Sequence, residues 1–598
     1  MDHGTRTGWE VFPTSQVGEA STQNDGPVAP NAGVPAAVEA TERPASHMPA
    51  TAPDAARAAA SLPGERARGL RVPAGLLLVA VLVVQGVLSL RLVGADTAFE
   101  DEAAYLWAGH LEWAHWLHGA PVPQFPAYFS GAPVIYPPVG ALADSIGGLA
   151  GARVLSLVFM LGATALLWGT AGRLFGRRAA FFAAALFAVL GPTLHLGAFA
   201  TYDAMSMLLV ALAAWCVVRA GDREDATGWM LAGGAALALA NAAAYSSALF
   251  DPVVIVLALV TAFPRPGGKA AAGRCLTLLT VVAVLLTAGL LTGGSRYATG
   301  IKQTTLARVG AADSITSVFA DSWSWTGLIA VLAVCGVAVS WAGRPGRART
   351  WLLAVLAAIV LLVPLEQARL HTTASLNKHV DLGAWFAAIA AGYAVDRFLA
   401  AAPAGRSRAL AFGACVVALV FPLSLGAGQS RVFSTSWPDA QSFTAILGPL
   451  ADHGSGRLLV EDPSVAEYYL PAGSQWQRWS STRNIVLPSG SNTGGPASTA
   501  GVTADGNPGT FATFIAAGYF SVVALNFSDT TTLDHRIAAD LRHNRHYHVV
   551  QVIPYGPGPR GPAPGTYVIW QYEPRAGAQP GYEPRLGAVA GTPSGNHR

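Results

Sequence analysis

This chain is short of charge. Only 12% of its 598 residues are Asp, Glu, Lys or Arg, against 52% hydrophobic ones, and mean hydropathy is +0.40. An ordinary soluble domain carries about twice that charged fraction, so a water-soluble globular protein is excluded as a class. Cysteine is scarce too: Cys216, Cys275, Cys335 and Cys415 lie within or beside apolar runs. They read as small core residues, with neither a disulfide framework nor metal-ligand spacing. A net charge of only +3 gives no reason to expect a nucleic-acid partner. No short hydrophobic core with a cleavage site opens the chain, so a removable signal peptide is not expected. No internal repeat is visible.

Long apolar runs supply the mass. About eleven stretches are long enough to span a bilayer: 72–93, 152–172, 179–198, 203–219, 229–245, 247–263, 275–294, 326–343, 350–365, 380–397 and 409–427. Their connecting loops alternate sharply in positive charge. One set holds Arg66, Arg68 and Arg71, then further basic groups at 173–178, 219–223, 265–274, 344–349 and 397–408, seventeen in all. The other set holds five, Arg296, Lys302, Arg308, Arg369 and Lys378, and the first loop of that set, 95–151, has none. The positive-inside rule then predicts a cytoplasmic N-terminus and an extracytoplasmic C-terminus in the cell membrane.

The ends differ from the middle. Residues 1–71 are rich in Ala, Pro, Gly, Ser and Thr without apolar periodicity and predict a disordered cytoplasmic tail. The spans occupy 72–428. Over 429–575, strand-like runs at Leu458–Val460, Val522–Leu525, His548–Val552 and Tyr567–Trp570 alternate with helical ones at Pro463–Leu470, Phe511–Phe520 and Leu533–Asn544. That alternation predicts a small extracytoplasmic α/β domain, followed by a flexible tail over 576–598. The fold class expected is therefore mainly α, a polytopic membrane protein with a C-terminal α/β domain.

The strongest chemical signal is in the first outer loop. Glu100-Asp101-Glu102 opens an aromatic helix that includes Tyr105, Trp107, Trp113 and Trp116. Leu106, Trp113 and Leu117 share one face, so the helix is expected to lie on the membrane surface. Acids beside hydrocarbon are functional candidates, although the same acids also suit a helix N-terminus. Asp203 sits in a very short outer turn, Thr201-Tyr202-Asp203, at the same depth. Its bland role is to cap the next helix. Two acids converging on one outer pocket instead resemble a general base and an orienting partner. The five outer cations run against the positive-inside bias, and a lipid phosphate accounts for them as a set.

These features resemble glycosyltransferase family 39, the protein O-mannosyltransferases and lipid A aminoarabinose transferases of the membrane GT-C fold. The resemblance rests on Asp101-Glu102 before Ala-Ala-Tyr-Leu-Trp, the turn Tyr136-Pro137-Pro138, and Arg153 opening the second span. Leu174-Phe175-Gly176-Arg177-Arg178 and Tyr202-Asp203 fit the same pattern. It covers roughly 90–260 and extends more loosely by topology to the later spans. It implies inverting transfer of a sugar from a polyprenyl-phosphate donor to a glycan, lipid or protein acceptor at the outer face. Asp101 would be the general base, with Glu102 and Asp203 orienting acceptor or base. Arg296, Lys302, Arg308, Arg369 or Lys378 would receive the phosphate. One departure stands out: many members carry a lysine before the aromatic of the fifth span, where this chain has Ala243-Ala244-Tyr245. No cofactor is required; a divalent ion at the first-loop acids, with Glu112, His115 and His118 nearby, is an option and not a need. The rival readings are a lipid-linked sugar transporter, which would carry charge at the membrane midplane, and an O-antigen ligase-like enzyme.

Overall fold

The computed structural model describes residues 74–574 apart from 222, 224, 263–266, 307–311, 344–345, 453–455, 487–502, 506–507 and 557–563. Both expected tails, 1–71 and 576–598, lie outside the described residues. The helical part comprises α1 (Ala74–Leu90), α2 (Glu100–His118), α3 (Tyr136–Phe175), α4 (Arg177–Ala188), α5 (Gly191–Leu196), α6 (Tyr202–Gly221) and α7 (Thr227–Ala243). It continues with α8 (Asp251–Ala262), α9 (Gly267–Ile301), α10 (Ile315–Gly343), α11 (Arg347–Ala358), α12 (Leu362–Arg369), α13 (Leu376–Ala401), α14 (Arg406–Ala418) and α15 (Val420–Phe433).

Seven helical segments among the described residues are long and apolar enough to cross a membrane, and two shorter apolar ones match the first and sixth expected spans. This is a multi-pass membrane protein. The third expected span is broken: α4 ends at Ala188, and Gly191-Pro192 starts the separate short helix α5. Proline cannot donate to the preceding turn, which forces that break. The fifth expected span is α7, of 17 residues.

α13 is the hub of the bundle. Its middle, Gly383–Ala394, is buried throughout, and its glycines and alanines let neighbouring helices close in. Gly392 faces the carbonyl of Ala179 on α4, and Gly336 on α10 faces the carbonyl of Ala390, both too close to admit a Cβ. The Trp385 indole donates to the carbonyl of Ala163 on α3 at 2.9 Å. This packing fixes where α13 begins, and its first turn carries Lys378 and His379.

Beyond α15 come α16 (Gln441–Asp452), β1 (Arg457–Val460), α17 (Ser464–Tyr469), β2 (Trp479–Ser480), β3 (Asn484–Val486), β4 (Thr503–Asp505), α18 (Pro508–Ala516), β5 (Phe520–Leu525), α19 (Thr531–His543), β6 (Tyr547–Tyr555) and β7 (Gly565–Tyr572). Five strands form one sheet in the order β2-β1-β5-β7-β6, with β1 parallel to β2 and β5 and the rest antiparallel. β3 and β4 pair separately. The sheet buries Leu459, Phe511, Phe520, Val523 and Trp570 on one face and Leu458, Trp479, Val522 and Ile569 on the other. The loops at the carboxyl ends of the parallel strands β1 and β5 are aimed at α2, the usual functional edge of such a sheet.

Candidate active site

α2 does not lie free on a membrane surface. Leu106 is fully buried while Leu117 is 66% exposed, so its expected apolar face is not uniform. The helix is instead wedged between α3 and the sheet domain. Gly109 meets the carbonyl of Pro137 with no room for a side chain. On the other side, the Trp107 indole donates to the carbonyl of Gly473 at 3.0 Å, and the backbone N–H of Ala98 donates to the Tyr469 hydroxyl at 2.8 Å. The Trp437 indole donates to the Thr97 carbonyl at 3.0 Å, and the Trp476 indole to the Pro121 carbonyl at 3.1 Å. Tyr468 donates to Asp144, whose other oxygen is 2.6 Å from His110.

The three adjacent acids take three different roles. Glu102 is fully buried, and both its oxygens are spent. Arg153 donates to it through Nε (2.8 Å) and a terminal nitrogen (2.6 Å), and the N–H groups of Ala200 (2.8 Å) and Phe99 (3.0 Å) complete the shell. Arg153 also donates to the carbonyls of Val93, Asp96 and Thr97, tying the end of α1 to the start of α2. Asp101 forms an ion pair with Lys378, whose side chain is 8% exposed and lies 5.7 Å from the Phe199 ring. Glu100 points to the sheet domain, where it, Asp462 and Asp529 place one carboxylate oxygen each within 4.8 Å of one another.

Asp203 joins Asp101 through α13. Its Oδ2 accepts from the Thr201 hydroxyl at 2.8 Å, and its Oδ1 lies 3.4 Å from Nε2 of His379, the residue after Lys378. Tyr105 and Tyr202, whose ring centroids are 4.7 Å apart, sit beside both acids. Burial and the Asp101 charge push the Tyr105 phenol well above the usual range, so it stays a neutral donor. The result is two carboxylates, each paired with one of two consecutive cation-capable side chains, at the end of the bundle covered by the sheet domain.

The remaining expected cations are placed elsewhere. Arg369 is exposed and donates through one terminal nitrogen and Nε to Glu366 on its own helix, at 2.6 and 2.8 Å. Arg296 and Lys302 are exposed and make no ion pair among the described residues. Arg308 lies outside the described residues. Of the expected metal neighbours, Glu112 is buried and raised in pKa by that burial, while Nδ1 of His115 sits 2.7 Å from the carbonyl of Ala120. A group suited by spacing to hold a cation is Glu100, Asp462 and Asp529 instead. Burial, then the charges of Asp462 and Asp529, raise Glu100 well above the carboxylate range, and burial with the charges of Asp462 and Glu461 pushes Asp529 up to about 7, against a lowering by Arg483. The loop bearing Asp529 is fixed by Glu461, which accepts from the backbone N–H groups of Asn526, Phe527, Ser528 and Asp529 at 2.6–2.9 Å. Sequence reading gave no role to His379, Arg153's pairing, or Tyr468 and Tyr469. The doublet Tyr468-Tyr469 and the lone indoles Trp437 and Trp476 were its available signals.

Comparison with known proteins bears on the fold that carries these residues. Residues 141–291 match the family of dolichyl-phosphate-mannose-protein mannosyltransferases. ArnT from Cupriavidus metallidurans, solved bound to undecaprenyl phosphate, superposes with a TM-score of 0.51 at 14% identity, over 83% of this chain and 97% of that one. The fold is that of the GT-C membrane glycosyltransferases. The apo oligosaccharyltransferase of Archaeoglobus fulgidus shares it, with a TM-score of 0.50 at 12% identity over 82% of this chain and 75% of that one. No curated protein matches the chain.

Proposed function

We propose that this GT-C protein transfers a sugar from a polyprenyl-phosphate donor to an acceptor hydroxyl or amine at the outer membrane face, with inversion. The observation that carries the reading is the paired arrangement Asp101–Lys378 and Asp203–His379 at one end of the bundle. Inverting transfer needs a base on the acceptor side and a cation on the leaving group. Asp101 takes the proton of the acceptor O–H or N–H. The freed lone pair bonds to the anomeric carbon while the bond from that carbon to the phosphate oxygen breaks. The electron pair leaves on the polyprenyl phosphate, and Lys378 neutralises the growing charge. Lys378 thus plays two parts: it pairs with Asp101 before donor arrives, then shares its charge with the phosphate. Asp203 keeps His379 and the first turn of α13 in place. Glu102 acts through Arg153 to hold the α2 start and is a positioning residue.

The donor class is supported by the undecaprenyl phosphate held by the ArnT of the same fold, and the orientation by the positive-charge asymmetry of the loops. In this reading residues 1–71 are cytoplasmic, 72–428 form the catalytic membrane domain, and 429–575 stand outside, covering the acceptor entrance. Nothing in the chemistry requires a metal. The test is to incubate purified protein in lipid with a panel of radiolabelled polyprenyl-phosphate sugars, with and without a chelator. Release of polyprenyl phosphate coupled to sugar transfer supports the reading. Movement of intact donor across the bilayer without cleavage would replace it with a transporter.

A further inference from the structure

The end of the bundle remote from Asp101 holds a feature that sugar transfer does not use. α13 begins beside Asp101 and runs for 26 residues, so its far end lies about 39 Å away, more than one hydrocarbon thickness. There Arg178, Leu399, Gly405, Arg408, Ala409 and Phe412 line an open cavity of about 320 Å3. Its two arginines are anchored from behind. Nε of Arg178 pairs with Asp396 at 2.8 Å, and Arg397 occupies the other oxygen of that aspartate. Arg408 donates through Nε and one terminal nitrogen to the carbonyls of Ala400 and Ala402 at the end of α13. Both terminal nitrogens of Arg178 and the other terminal nitrogen of Arg408 have no hydrogen-bond partner among the described residues.

Charge and shape together select the ligand. Segments 177–178 and 396–408 contain five arginines, at 177, 178, 397, 406 and 408, and one acid, Asp396. The inner wall is apolar: Leu399 is fully buried, and Phe412 packs on Phe181 and Phe182 at 5.8 and 5.7 Å. Beside these wall residues in the chain, Phe398 and Leu410 are 68% and 65% exposed. A soluble anion would leave those two side chains bare, whereas the acyl chains of a lipid would cover them. We infer that this cavity binds the phosphate headgroup of an anionic phospholipid in the leaflet opposite the candidate active site. Guanidinium groups match phosphate oxygens by geometry as well as charge, and basic pockets between membrane helices suit such headgroups.

The test uses the full chain in nanodiscs and in mild detergent, with native mass spectrometry counting bound phosphatidylglycerol against phosphatidylcholine. Wild type should retain phosphatidylglycerol preferentially. The pair Arg178→Gln with Arg408→Gln should weaken that retention at least about tenfold, and the pair Arg178→Lys with Arg408→Lys much less. Ala409→Trp, which fills the cavity and keeps every charge, should expel the lipid by itself and covers the case in which the glutamine pair does not fold. Arg347→Gln with Arg349→Gln, at another basic loop, should leave retention unchanged. The inference is overturned if that control pair loses lipid equally, if Ala409→Trp binds as wild type does, or if phosphatidylcholine is held as well. Displacement by glycerol phosphate at the concentration of the lipid would mean a soluble-anion site instead.

Discussion

Lys378 is the residue on which the site turns, because among the described residues it alone of the expected cations is in contact with a candidate acid. It is nearly buried, so its charge is poorly screened. Replacing it with methionine keeps the stem and removes the charge. A charge-assisted contact contributes about 1.5–3 kcal/mol, so donor affinity in a binding assay should fall about 10- to 150-fold. Arg369→Ala should change donor affinity less than about twofold, since that guanidinium is exposed and already spent on Glu366; a larger loss would move the phosphate site. Glu102→Gln separates position from chemistry. It leaves the Arg153 guanidinium, 2% exposed, without its carboxylate. Removing one partner of a buried pair costs about 3–5 kcal/mol. A thermal melt should therefore register the change more strongly than turnover per folded molecule does.

At the scale of elements, the junction of α2 with the sheet domain is held by neutral hydrogen bonds and opposed by acids. Glu100 from α2 faces Asp462 and Asp529 from the sheet loops, with Asp101 and Glu461 nearby and Arg483 as the cation. Carboxyls raised above their unfolded values favour the docked form while protonated, so that contribution is complete at low pH and fades as pH rises through about 7. Protease protection of the Ala95–Phe99 strap should accordingly be greater at pH 5.5 than at pH 8.5, and Asp529→Asn should flatten the difference. Greater protection at high pH would mean that a cation, and not protons, neutralises the cluster. Much of the architecture was legible in the sequence. Apolar runs report spans directly, and strands such as Val522–Leu525 stood out because both faces of the sheet are covered. The break at Gly191-Pro192 was hidden inside a continuously apolar run. The pairing of Glu102 with Arg153 and of Asp101 with Lys378 joins residues far apart in the chain, and only the packing of α2, α3 and α13 brings them together. Distance from the membrane edge, which the sequence does report, marks Asp101 and Asp203 as companions.

For the whole molecule, the account is that one face of a GT-C bundle, roofed by a sheet domain, does acid–base chemistry on a lipid-linked sugar. Orientation is its first requirement. A reporter fused after Gly428 should be active only outside the cytoplasm, and one fused at Gly346 only inside; the reverse would put Asp101 on the wrong side for an exported donor. The most direct measurement is single-turnover transfer by Asp101→Asn in proteoliposomes, with donor binding read in parallel. The amide keeps the shape and hydrogen bonds of the carboxylate and loses its basicity. A positioned base contributes about 10²–10⁴ in rate, so transfer should fall by that factor while donor lipid still binds, with Asp203→Asn losing less. Transfer at the wild-type rate by Asp101→Asn would contradict the account.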